Sequence, residues 1–228
     1  MAIGQDMNYD IDIVMCIDGT GSMSPVIEEV KSNALDFSTR LQEAMELSDK
    51  SVGQLRIKLI TYRDLNVDSE AMVEEGFYCL PQDNADFEAA VRNIRAAGGG
   101  DEPENGIDAV ARALKSDWCE TGWKRRHIII VFTDASAIPL DTGIHDDAAP
   151  AELKDLQEWW NNGVPGGNLQ QEAKRMILFA PDAQPWNIMS SWDLVDFYPS
   201  AAGSGCSDVD IDKIIDKLVK SVGAVALQ

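Results

Sequence analysis

Apolar positions along the chain follow two rhythms. Residues 11–17 (Ile11, Asp12, Ile13, Val14, Met15, Cys16, Ile17) form a mostly β-branched run closed by Asp18-Gly19-Thr20-Gly21-Ser22, which predicts a buried strand feeding a glycine-rich turn. From Pro25 the period lengthens. Val26, Ile27, Val30, Ala34, Phe37 and Leu41 recur every three or four residues, predicting a helix with Ser24 as N-cap, Pro25 in its first position and Glu28 near its first turn. Alternation returns over 55–62, and a short strand is expected at 77–79. A helix over 86–97 turns Phe87, Val91 and Ile94 inward. Gly98-Gly99-Gly100-Asp101 makes a second glycine-rich loop before a helix over 102–116, with Pro103 in its first turn and Ile107, Val110 and Leu114 on one face. Residues 127–132 are continuously apolar from Ile128, as in a central parallel strand, and stop at Thr133-Asp134. Residues 135–150 read as a loop. A helix over 151–160, a Gly/Asn/Pro stretch and a short helix to 174 follow. Strands at 176–179 and 194–198 precede an amphipathic helix over 210–222.

Strands alternating with helices predict an α/β fold: a doubly wound, mostly parallel sheet with helices on both faces, a three-layer sandwich. No repeat or long linker divides the chain, so residues 1–228 read as one domain with a loop/helix insertion at about 135–175. Such sheets bind ligands beyond the carboxyl ends of their strands, at the point where strand order reverses. Asp18, Asp101 and Asp134 each sit on a loop that can converge there.

Composition narrows the function. With 228 residues, 45% hydrophobic and 25% charged, the chain is an ordinary globular sequence, which excludes collagen, coiled coil and disorder. Acidic residues outnumber basic ones 39 to 19, a net charge of −20 that repels phosphate backbones and anionic lipid. Nucleic-acid and membrane partners are therefore not expected, and Lys124-Arg125-Arg126 reads as a solvated lead-in to a strand. The cysteines (Cys16, Cys79, Cys119, Cys206) lack CxxC spacing and read as reduced thiols. Residues 1–10 carry no basic or apolar leader pattern, and the longest fully apolar run, 128–132, is far too short to span a membrane, so a cytoplasmic setting is expected.

Asp18, Thr20 and Ser22 present one carboxylate and two hydroxyls on alternate residues of a tight turn. With Asp101 and Asp134 they form a hard oxygen donor set suited to Mg²⁺ or Mn²⁺, with Ca²⁺ as a further option, and unsuited to Zn²⁺ or copper. These residues resemble the metal-ion-dependent adhesion site of the von Willebrand factor A domain family. The family's Asp-x-Ser-x-Ser motif is matched by Asp18-Gly19-Thr20-Gly21-Ser22, and its aspartate after the fourth strand by Asp134. Its middle threonine is replaced by Asp101, in Gly98-Gly99-Gly100-Asp101-Glu102-Pro103-Glu104. That variant resembles a Gly-Gly-Asp-x-Pro-Glu branch that includes hemicentin-like domains, alpha-kinase-linked domains and many bacterial proteins. The resemblance runs from about residue 9 to 222. It implies a domain that binds a protein partner through an acidic or polar side chain placed on the cation, and a setting in bacterial stress or signalling systems. Family sites typically combine two charged and three neutral side chains. Three aspartates carry formal −3 against +2, so this site is expected to hold its cation more firmly and to favour water or a neutral or weakly acidic ligand.

Blander readings stand beside these. Asp18, Thr20 and Ser22 suit a strand-end turn, Asp101 and Asp134 can cap local structure, and Glu104 reads as a surface helix acid more readily than as a support for the site. Asp208, Asp210 and Asp212 imitate the start of a calcium loop but lack its glycine and closing glutamate. Trp159, Trp160, Trp186 and Trp192 read as core packing or as a recognition surface, and Arg63 with Asp64 as a surface ion pair. A metal-dependent phosphoester hydrolase is the alternative activity, but the second aspartate that haloacid-dehalogenase phosphatases need is Thr20 here. Serine-hydrolase chemistry lacks its GxSxG motif, with His127 starting a strand and His145 in a loop. A purely structural domain whose metal only stabilises it is the remaining option.

Overall fold

The computed structural model describes residues 8–100, 102–122 and 124–200. Asp101, Cys206, the acids 208, 210 and 212, and the helix expected over 210–222 lie outside the described residues.

The apolar runs become strands β1 (Asn8–Asp18), β2 (Ser51–Tyr62), β5 (Lys124–Phe132), β6 (Lys174–Pro181) and β7 (Val195–Ser200), with short β3 (Met72–Glu74) and β4 (Tyr78–Leu80) between them. The helices are α1 (Ile27–Leu47), α2 (Asn84–Asn93), α3 (Gly106–Leu114), α4 (Leu153–Asn162) and the single turn α5 (Trp186–Met189). Among the described residues the seven strands form one sheet in the order β3-β2-β1-β5-β6-β7, with β4 also paired to β2. The pairs β1–β2, β1–β5, β5–β6 and β6–β7 are parallel, and only β3 and β4 run antiparallel. The chain leaves β1 toward β2 and returns on the opposite side at β5. Strand order therefore reverses between β1 and β5, whose last residues are Asp18 and Phe132.

Side-chain alternation sends successive residues of the central strands to opposite faces, and both faces are buried. Ile11, Ile13, Met15, Ile128, Ile130, Phe132 and Phe179 pack under α1 and α2, against Val30, Phe37, Leu41, Phe87 and Val91. Val14, Cys16, Ile129, Val131, Met176 and Leu178 pack under α3, α4 and α5, against Val110, Leu114, Leu156, Trp160 and Trp186. The tryptophans after Asp134 thus belong to the core. Trp160 and Trp186 are fully buried, Trp192 is nearly so, and half-buried Trp159 lies under the Lys115 ammonium. Cys16, Cys79 and Cys119 are free thiols. No helix among the described residues is long and apolar enough to cross a membrane.

Several local expectations shift. Ser24 and Pro25 do not cap α1, because residues 21–23 turn into a short 3-10 helix and Ser24 closes it; α1 begins after Val26. Helix α3 starts at Gly106 instead of residue 102, since Glu104 is held as extended backbone beside Ala137. Lys124, Arg125 and Arg126 are the first residues of β5 and pair with β1. Tyr9 gathers two of their cationic groups: Lys124 Nζ lies 3.1 Å from its hydroxyl and Arg126 over its ring. The short helix expected before 174 is a turn, and β3 is too short to leave a sequence signal.

Gly106 marks where the far-side core meets the sheet end. A Cβ there would lie 2.7 Å from the Trp186 ring, which is fully buried and tied by Nε1 to the Ala135 carbonyl at 2.9 Å. Alanine is the better helix former by about 1 kcal/mol, but overpacking a fixed ring costs about 1–3 kcal/mol. Gly106→Ala is expected to lower unfolding stability by about 1–2 kcal/mol in urea titrations. A stabilised variant would show that Trp186 is free to move.

Candidate metal centre

Both strands at the reversal point end in polar residues that fold over the sheet edge. Asp18, the last residue of β1, is fully buried. Its Oδ1 accepts the Thr20 amide at 2.9 Å and the Thr20 hydroxyl at 2.7 Å, and its Oδ2 accepts the Thr133 hydroxyl at 2.7 Å. Ser22 donates to Asp134 Oδ1 at 2.9 Å, and the Thr20 and Ser22 hydroxyl oxygens stand 3.0 Å apart. Each hydroxyl has one proton. Thr20 spends its proton on Asp18 and Ser22 spends its proton on Asp134, so the two oxygens face each other with lone pairs.

The second glycine loop closes against the first. Gly21 N donates to Gly98 O at 3.0 Å and Ala97 N to Gly19 O at 2.9 Å. Gly98 and Gly99 have φ of +70° and +74°, and a Cβ on Gly99 would lie 2.8 Å from Glu104 Oε1 and 2.9 Å from Thr20 Cβ. Only glycine passes between those two side chains in that conformation. Arg63 clamps the assembly by donating to the carbonyls of Gly19, Glu70 and Arg95, each at 3.0 Å. The surface ion pair expected for Arg63 and Asp64 does not form: Asp64 is buried and takes the Asn66 amide and side chain on Oδ1.

A cavity of about 120 Å³ opens over these groups, lined by Thr20, Ser22, Gly98, Gly100, Glu102, Glu104 and Asp134 among others. Of the expected site residues, the fold therefore brings together Asp18, Thr20, Ser22 and Asp134, with Asp18 seated beneath the lining. Glu104, expected on a helix surface, is instead 4% exposed and faces the cavity. Thr133, whose hydroxyl orients Asp18, is not singled out by the sequence either. A threonine after a strand is common, and nothing in its spacing marks it. Among the described residues no three His, Cys, Asp or Glu side chains converge closely enough to hold a metal ion by themselves. The described donor set is two carboxylates and two hydroxyls.

The von Willebrand factor A domain profile matches residues 12–145, the stretch that contains every one of these groups. The chain belongs to the von Willebrand factor A domain family. It is 33% identical over 103 residues to the alpha-protein kinase vwkA of Dictyostelium discoideum, a match covering 44% of this chain and 15% of that protein. Among solved structures it resembles the pilus adhesin SpaC of Lactobacillus rhamnosus GG in its open conformation (TM-score 0.53, 14% identity, 94% of this chain and 30% of that one). It also resembles proximal thread matrix protein 1 of the mussel byssus (TM-score 0.54, 11% identity, 94% of this chain and 46% of that one). These structural likenesses establish the shared α/β three-layer fold. In this von Willebrand factor A domain the β1–β5 reversal point and the two glycine loops form one continuous polar edge.

Two buried oxygens at this edge, Asp134 Oδ2 and Glu104 Oε2, have no hydrogen-bond partner among the described residues. Buried carboxylate oxygens without a described partner, beside two hydroxyl oxygens whose protons go to Asp18 and Asp134, fit a hard divalent cation. The local charges agree. Burial pushes the Asp18 carboxyl up to about 6, against the hydrogen bonds from Thr133 and Thr20 and with the Asp134 charge adding to it. Burial also raises Asp134. Glu104 is pushed up to about 8, first by burial and then by the charges of Asp18, Asp64, Asp68 and Asp134.

These shifts fix a pH dependence for protein kept in EDTA. A carboxyl raised in the folded state keeps its proton where the unfolded chain has lost it, so stability falls as pH rises through that interval. The interval runs from 3.8 to about 6 for Asp18 and from 4.5 to about 8 for Glu104. Asp18 alone contributes a loss on the order of 3 kcal/mol. Denaturant midpoints in EDTA are expected to decline from pH 5 to pH 8, less steeply in Asp18→Asn. A profile that climbs over that range, or one unchanged by the substitution, would contradict this electrostatic account.

Proposed function

We propose that this domain is a metal-dependent protein-interaction module, with Mg²⁺ or Mn²⁺ held at the end of the sheet by Asp18, Thr20, Ser22, Asp134 and Asp101. The observation that carries the reading is that the Thr20 and Ser22 hydroxyl oxygens, whose protons go to Asp18 and Asp134, line one small cavity with Asp134, whose Oδ2 has no partner among the described residues. The cation would supply an electropositive position that accepts one oxygen from a partner. The surrounding chain sets which oxygen is welcome. Glu102, Glu104 and Asp134 line the opening, so a polar or weakly acidic partner side chain is favoured over a strongly anionic one.

The proposal is for binding and not turnover. Hydrogen bonds from Thr20 and Thr133 to both oxygens of Asp18 fix its carboxylate in place at the end of β1. Adhesion and a place in a thread matrix are what the pilus adhesin and the proximal thread matrix protein carry in their names. The likeness to part of an alpha-protein kinase supports a place beside a kinase, and a cytoplasmic setting is part of the proposal. Its extension to bacterial stress systems belongs to the same proposal.

Calorimetric titration of Mg²⁺ and then Mn²⁺ into EDTA-stripped protein tests the reading, with Asp18→Ala and Ser22→Ala beside the parent. The parent is expected to show a single saturable site that is absent in Asp18→Ala. Ser22 is exposed, so its substitution leaves folding intact and should weaken binding by at least about tenfold. Pull-downs in Mn²⁺ should then retain a protein that EDTA releases, and a small aryl phosphate should not turn over. No heat and no change in melting temperature at millimolar metal would overturn the proposal.

A further inference from the structure

The chain holds two histidines, and their surroundings differ in one decisive way. A neutral imidazole has one N–H and one lone pair, whereas an imidazolium has two N–H groups. His127, fully buried, has a partner for each half of the neutral ring. Its Nδ1 accepts the Gln170 amide at 3.2 Å, and its Nε2 donates to the Cys119 carbonyl at 3.1 Å. His145 has acceptors on both sides. Its Nδ1 faces both oxygens of Asp108, at 3.0 and 3.2 Å, and its Nε2 faces the carbonyls of Thr142 at 2.7 Å and Pro139 at 3.0 Å. Only the protonated ring donates to both sides. Asp108 is fully buried, and it also accepts the Asp146 amide at 2.7 Å and Asn105 Nδ2 at 2.9 Å. Those two donors are neutral, so His145 carries the charge that balances the carboxylate.

We propose that the His145 imidazolium, bonded to buried Asp108 on one side and to two carbonyls of its own loop on the other, is a proton-operated latch that closes residues 138–149 onto α3. Loss of the proton leaves one N–H for two acceptor sites. Either the Asp108 carboxylate or the turn over 139–142 then faces a lone pair, and the loop loosens. The other charged groups packed on this loop are matched among themselves: Arg112 with Asp146 and Glu74, Glu74 with Lys58, and Glu152 with Lys154. Lys115 Nζ donates to the Ala148 carbonyl, and Asp141 and Asp147 are exposed. Burial lowers the His145 ring, but the hydrogen bond and charge of Asp108, then the Pro139 and Thr142 carbonyls, outweigh it and hold the ring above its usual 6.5. A raised imidazole stabilises the closed loop fully below 6.5 and loses that contribution as pH climbs through the folded-state midpoint. The loop supplies Pro139, Leu140 and Asp141 to the wall of a cavity of about 490 Å³, facing Leu153 and Ile188, so the latch sets how firmly that wall stands.

Imidazole nitrogen and carbon resonances of the full chain, followed across pH in EDTA, test the latch, with His127 as the internal comparison. His145 is expected to be protonated on both nitrogens at the acid end and to titrate above 6.5, while burial holds His127 below 6.5. Amide hydrogen exchange over residues 138–149, corrected for the intrinsic rate, is then compared on either side of the His145 midpoint in the parent and in His145→Gln. Protection in the parent is expected to drop by about tenfold on the alkaline side. His145→Gln, a fixed neutral donor, should show the lower protection on both sides. His145 titrating at or below 6.5, or holding a neutral ring at the acid end, overturns the proposal. Parent protection that is unchanged across the midpoint overturns it as well. An equal alkaline drop in His145→Gln does so too, because the titrating group then lies elsewhere. The resonances and the parent's own exchange decide the matter even where the variant does not fold.

Discussion

The carboxyl edge of this sheet is organised around one electrostatic constraint: several acids are buried side by side, and among the described residues no base pairs with them. Asp18 and Asp134 are set at the ends of the two strands between which strand order reverses, and Glu104 is zipped alongside by backbone pairing with residues 136–138. Burial raises all three carboxyls, and neighbouring acidic charges raise them further. Thr20, Ser22 and Thr133 relieve part of this by donating hydroxyl protons. They leave Asp134 Oδ2 and Glu104 Oε2 without a described partner. In the proposed function a cation would complete this arrangement.

The rest of the edge keeps those acids from moving apart. Arg63 ties three backbone segments together, and the two glycine loops are joined directly through backbone hydrogen bonds. Behind them, Asn105 accepts from Leu65 N through Oδ1 and donates through Nδ2 to Asp108 Oδ2 and to Ile144 O. Asp108, itself fully buried, receives His145 and the Asp146 amide. The far nitrogen of His145 faces the carbonyls of Pro139 and Thr142, and with Asp108 these hold its pKa above the usual value against the opposing effect of burial. One buried asparagine and one buried aspartate thus connect the loop after β2, the start of α3 and the loop after β5. Exposed Val67 and Ile144 stand on the two outer loops.

The alternating strands and the Asp18-x-Thr20-x-Ser22 turn were legible in the sequence because each depends on local pattern: β-branched runs, glycines at fixed offsets and an apolar strand ending in Thr133-Asp134. The parts that escaped depend on contacts distant in sequence. Glu104 reads as a helix acid until its backbone pairs with residues 136–138, more than thirty positions on. Arg63 and Asp64 read as a surface pair until the loop over 64–68 folds against Gly98–Gly100, burying the acid and drawing the guanidinium to carbonyls. The start of α1 escaped because the 3-10 turn at 21–23 is imposed by the first glycine loop, and Ser24 has ordinary cap chemistry in isolation. The tryptophans sorted into the core because α4 and α5 lay them across the face opposite α1, which no spacing rule encodes.

The most direct test of the central claim is anomalous diffraction from crystals grown with Mn²⁺ after EDTA stripping, recorded at the manganese edge. The account predicts one strong anomalous peak in the cavity between the Thr20 and Ser22 hydroxyls and Asp134. A map with no peak there, or with manganese only on surface acids far from this edge, would contradict it.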